Sequence, residues 1–119
     1  MAKDIRECLL EQARKFHQWQ EITYPGKNTE EIGGEWEVDY PAWNDIFDAF
    51  CHVLTQMDAE MADSVLLDEM VYLIARDNEA EGVIQETTSH PQWFECLCRR
   101  AVASNENEAK WQFAAYLPE

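Results

Sequence analysis

Asp45, Asp48 and His52 are the residues of this sequence best placed to do chemistry together. They stand at i, i+3 and i+7, so in a helix they share one face. Two carboxylates and an imidazole at that spacing could hold a divalent metal, or pair an acid with a base. Trp43, Ile46 and Phe50 fall on nearly the opposite side of the same helix. The polar triplet is therefore expected to face water, and a solvated helix face is favoured over a metal or catalytic site. Cys51-His52 and Cys96-x-Cys98 offer four possible zinc ligands. Structural zinc prefers Cys-x2-4-Cys on turns, whereas Cys-x-Cys within a helix points its thiols about 200° apart. Cys8 and His17 lie more than two turns apart on one helix, too far for a thiol and its base. No Glu-x-x-His, Walker loop, dinucleotide glycine fingerprint or G-x-S-x-G is present. Neither a catalytic residue nor a metal or cofactor site is expected. A small metal-binding enzyme built on Asp45, Asp48 and His52 is the least favoured reading.

The elements that carry these residues read as helices. Residues 2–21 place Ile5, Cys8, Leu9, Ala13, Phe16 and Trp19 at spacings of three and four, and Tyr24-Pro25-Gly26 stops the pattern. Residues 22–40 form a long acidic loop. Within it Trp36, between Glu35 and Glu37, is expected to tuck onto the body, with a partner contact as the alternative. Pro41 is expected to occupy the first turn of a second helix, whose apolar stripe is Trp43, Ile46, Phe47, Phe50, Val53, Leu54 and Met57. Asp63 or Ser64 caps a third helix, apolar on most sides between Val65 and Ala75 and so expected at the centre. Arg76-Asp77-Asn78-Glu79 reads as an interhelical turn with Asp77 or Asn78 as cap, and also as a polar ridge. A short fourth helix carries Val83, Ile84 and Thr87. A fifth follows Pro91, and a sixth holds Ala109, Trp111, Phe113, Ala114, Tyr116 and Leu117. The expectation is one all-α domain over residues 1–119, with about six helices in an antiparallel, HEAT-like array or an irregular bundle. Pro41-x-Trp43 and Pro91-x-Trp93, fifty positions apart, support a repeat.

Composition narrows the function classes. The net charge is -15, yet 46% of residues are hydrophobic and aromatics are plentiful, which suits a folded domain rather than a disordered chain. The longest apolar run, Met70 to Ala75, is six residues, far short of a membrane span, and the start lacks a signal-peptide core. A cytoplasmic protein is expected, with its four cysteines acting as small hydrophobes inside helices. From Asn28 to Ala75 there is no Lys or Arg but there are twelve acids. Such a field repels nucleic acid and anionic lipid and attracts a basic protein. A merely soluble surface is the competing explanation.

One further likeness bears on the partner. Asp68 through Glu81, then Val83-Ile84, Pro91-x-Trp93-Phe94 and Lys110-Trp111-Gln112-Phe113-Ala114 resemble small HEAT-repeat-like bacterial immunity proteins. Those are encoded beside polymorphic or contact-dependent growth inhibition toxins. The likeness covers roughly residues 40–117; residues 28–38 have no counterpart in it. It implies a cytosolic protein that binds a cognate toxin domain, often a nuclease, and blocks its active site or its access to substrate. A nuclease groove is basic because it must attract phosphate, so the charge agrees with the resemblance. The residues expected to contact such a partner are Glu37, Asp39, Asp45, Asp48, Asp68, Glu69, Asp77 and Glu79, with Trp36 and Tyr72 as aromatic anchors. A helical adaptor with some other protein partner is the alternative. No cofactor, direct nucleic-acid contact or membrane contact is expected, and the oligomeric state is not legible.

Overall fold

The computed structural model describes residues 2–23, 40–77 and 81–117, with the side chains of residues 2 and 3 excepted. Among these residues the chain is all-helical. The helices are α1 (Ala2–Thr23), α2 (Trp43–Gln56), α3 (Ser64–Arg76), α4 (Gly82–Thr87), α5 (Pro91–Val102) and α6 (Asn107–Ala115), with a 3-10 turn at Ala59–Met61. No helix among them is long and apolar enough to cross a membrane.

The arrangement is a bundle ringed around α3. That helix packs against α1, α4, α5 and α6, while α2 packs against α1 and α4. Central placement follows from composition: Leu66, Met70, Val71, Leu73, Ile74 and Ala75 cover most of its circumference and are all buried. Each large apolar side chain so buried contributes roughly 1.5–3 kcal/mol. On the α1–α2 side Phe16 is the hub. Its ring meets Trp43 edge-on at 5.4 Å, Tyr40 at 5.0 Å and Tyr72 at 6.2 Å. On the α5–α6 side Phe94 and Phe113 form an edge pair at 5.1 Å. The Trp93 indole donates to the Met57 carbonyl at 3.0 Å, tying α5 to the end of α2. The extents, 35 × 34 × 23 Å, describe a thick disc.

Three expectations change in detail. Pro41 does not begin α2. It lies in a tight turn ahead of the helix, where the Trp43 and Asp45 amides donate back to the Tyr40 and Ala42 carbonyls. Pro91 does occupy the first turn of α5. The two Pro-x-Trp segments therefore enter their helices differently. Second, Trp111 is 75% exposed and Gln112 is buried in its place. Helix α6 is short and turns Ala109, Gln112 and Phe113 inward. The Gln112 amide donates to the carbonyls of Ile74 and Asp77, at 2.8 and 3.3 Å, adding a second donor to Ile74, which already accepts the Asp77 amide, and serving the Asp77 carbonyl past the end of α3. Third, Cys8 is exposed because it precedes inward-facing Leu9 by one residue on α1. Cys51, Cys96 and Cys98 are half-buried, and all four thiols are free.

Candidate partner-binding surface

Acidic side chains of α3 and its cap reach outward to basic side chains that lie far away in the sequence. At its start, Asp63 is the N-cap; one carboxylate oxygen accepts the Leu66 amide at 2.9 Å and the other meets Arg6 of α1 at 2.6 Å. Those two interactions, the amide first, hold the Asp63 carboxyl below the usual range. One turn further, Asp68 receives both Arg100 donors from α5 at 2.6 and 3.0 Å, which lowers its carboxyl against the opposing effect of desolvation. Glu69 meets His17 Nε2 of α1 at 2.9 Å, and that imidazole lies against Tyr72 with ring centres 4.4 Å apart and planes tilted by 32°. The Tyr72 hydroxyl donates to the Gln20 side-chain carbonyl. Burial raises the Tyr72 phenol despite the nearby Arg76 cation and the bond to Gln20.

At the other end of α3 stands a buried ion pair. Arg76 is 5% exposed, lies 4.6 Å above the Tyr72 ring and donates to both oxygens of Glu106 at 2.5 Å. Guanidinium, aromatic face and carboxylate thus form one stack joining α3 to the residue that caps α6. Beside it, Asp77 is 2% exposed and accepts the Val83 amide at 2.7 Å, in the first turn of α4. Glu81, the N-cap of α4, has a left-handed backbone (φ 55°) and accepts from the Tyr116 hydroxyl at 3.2 Å. Glu108 is raised by burial and then by the Glu81 charge, with Arg76 opposing.

Helix α2 differs. Asp45, Asp48 and His52 are exposed, as their placement opposite the Trp43 stripe requires. Asp45 and Asp48 make no ion pair with any described residue. Packing of α2 on α4 brings the exposed Glu86 to the same surface. Burial first, then Glu86 and Asp48 together, raise the intervening Cys51 thiol. Asp45 adds to the burial that raises the Tyr40 phenol. Asp58 and Glu60, also exposed, continue the acidic run past the end of α2. Among the described residues, no group of three or more His, Cys, Asp or Glu side chains is placed to hold a metal ion.

The ten residues expected to contact a partner separate accordingly. Trp36, Glu37, Asp39 and Glu79 lie outside the described residues. Asp45 and Asp48 are exposed on one surface. Asp68 is exposed but bound to Arg100, and Glu69 and Tyr72 are half-buried against α1. Asp77 is corrected: it is an interior carboxylate that accepts the Val83 amide and so holds the start of α4. Glu86 was not among the ten. It stands outside the base-free stretch, and only the α2–α4 packing joins it to Asp48. Arg76, Glu106 and Gln112 were also missed as a structural unit. A lone Arg at a helix end carries no sequence signal of burial.

No protein-family model, curated protein sequence or solved structure matches this chain.

Proposed function

We propose that this protein is an immunity protein, which binds and neutralises a cognate basic, nuclease-type toxin domain in the cytoplasm and performs no catalysis itself. The observation that carries the reading is how the charge is distributed after folding. Each of the five arginines, Arg6, Arg14, Arg76, Arg99 and Arg100, sits in an internal ion pair. Asp45, Asp48 and Glu86 stay exposed across α2 and α4, with no such partner among the described residues. A cationic protein approaching that surface meets carboxylates whose charge is not already offset. This arrangement accelerates encounter more than it tightens the final complex. The half-exposed thiol of Cys51 and the imidazole of His52 lie among the same acids and provide contact area once the charges are brought together.

The test is co-expression with the product of the adjacent open reading frame. Growth rescued by the wild-type chain, and lost when Asp45, Asp48 and Glu86 are all changed to their amides, supports the reading. A neighbour that is harmless alone, or a triple variant that rescues as well as wild type, overturns it. In the purified pair, the association rate should fall steeply as salt is raised through about 0.1 M, where the screening length is about 10 Å.

A further inference from the structure

A second surface is apolar. Between α5 and the residues that follow α6 runs an open groove of about 810 Å³. Phe94 lies at its base, fixed edge-on against Phe113, and Cys98 is half-buried beside it. Val102, 68% exposed, and Leu117, 55% exposed, flank the groove together with Tyr116. The backing aromatics are locked by packing, so the groove is preformed. Aliphatic side chains this exposed and this close together are a common mark of a protein contact.

The charge decides what fits. Among the described residues the one cation lining the groove is Arg99, and its guanidinium is held by Glu95 at 2.5 Å. Tyr116 leads directly to another acid, Glu81, through its hydroxyl. The whole chain carries 24 acids against 9 bases. A second copy of the chain or an anionic amphiphile would bring its own negative charge into that field. An occupant with aliphatic side chains on one face and lysine or arginine on the other meets the apolar groove and the surrounding field together. We propose that the α5–α6 groove docks a basic amphipathic segment of a partner protein, through side chains inserted over Phe94 between Val102 and Leu117. The assignment is independent of whether that partner is a toxin.

Two synthetic peptides of equal length and identical lysine positions test this, one with leucine along its apolar face and one with serine there. At fixed salt, the leucine peptide should bind the wild-type chain at least about tenfold more tightly than the serine peptide. Val102→Ser/Leu117→Ser should remove that preference, while Asp45→Asn/Asp48→Asn should weaken both peptides alike and leave the preference intact. Both groove side chains are exposed, so the helical signal should persist; if the double variant fails to fold, Val102→Ser alone is read. The leucine peptide should also slow alkylation of Cys98 and leave exposed Cys8 unaffected. Equal binding of the two peptides, or a preference that survives the groove substitutions, overturns the proposal. So does a concentration-dependent dimer that the groove substitutions abolish, since the groove would then belong to a second copy. Failure of growth rescue in the co-expression experiment with this preference intact would defeat only the toxin reading.

Discussion

Helices α2 and α3 come from the same base-free stretch of sequence, and their acids have opposite fates. On α3 and its cap, Asp63, Asp68 and Glu69 are met by Arg6, Arg100 and His17 from helices before and after the stretch. On α2, Asp45 and Asp48 meet no cation among the described residues. The cause is position. As the hub, α3 is flanked by α1 and α5, which carry most of the basic residues, whereas α2 lies at the rim against α1 and the acidic α4. A run of acids in a sequence is thus not a measure of the charge a partner sees. Neighbouring helices subtract from it locally, and here they leave α2 as the exposed negative edge.

The strongest way to sharpen the contrast is at the paired, buried end. Glu106→Ala strands the Arg76 guanidinium beside Tyr72 and should cost about 3 kcal/mol in denaturant unfolding. Replacing both partners, Arg76→Met with Glu106→Leu, should recover most of that loss, because no uncompensated charge is then left buried. A small loss from Glu106→Ala would mean that the pair does not fasten α6.

The next effect separates α2 from α3 by function. Asp45→Asn/Asp48→Asn should leave unfolding stability within roughly 0.5 kcal/mol of wild type, yet slow association with a cationic partner about tenfold at low salt. Asp68→Asn should do the reverse, lowering the melting temperature while leaving the association rate near wild type. Equal effects of the two variants on association would erase the distinction between the helices.

A pH titration gives a third, smaller test. Asp63 and Asp68 have folded values below the ordinary carboxylate value, so the folded state binds fewer protons than the unfolded chain there. Their stabilisation is present above that ordinary value and is lost as pH falls through the lowered ones. In Asp63→Asn/Asp68→Asn the acid limb of the curve of melting temperature against pH should flatten. The smallest effect has the opposite sign. Glu108 is raised, so its ionised form opposes folding once pH climbs through that raised value, and no penalty exists below the ordinary one. Glu108→Gln should therefore raise the melting temperature modestly at neutral pH, with the gain fading in acid.

Much of the fold was legible because helix period and core face are local properties. The stripe Trp43, Ile46, Phe50, Val53 and Leu54 on α2, and the apolar girth of α3, each follow from spacing alone, and those side chains are buried except near the start of α3, where Val65 is 57% exposed and Leu67 is half-buried. The Asp63 cap follows from the same local rules. The outward aim of Asp45, Asp48 and His52 is equally local, since one helix cannot point opposite faces the same way. What no reading of spacing supplied is which helices meet. The inward turn of Asp77, the burial of Arg76 under Glu106, the exchange of Trp111 for Gln112 in the interior and the joining of Glu86 to Asp48 all depend on contacts between residues distant along the chain. Periodicity determines the face a residue shares with its own helix. Only packing decides whether that face meets water, a cation or another helix, because that depends on surfaces contributed from elsewhere in the chain.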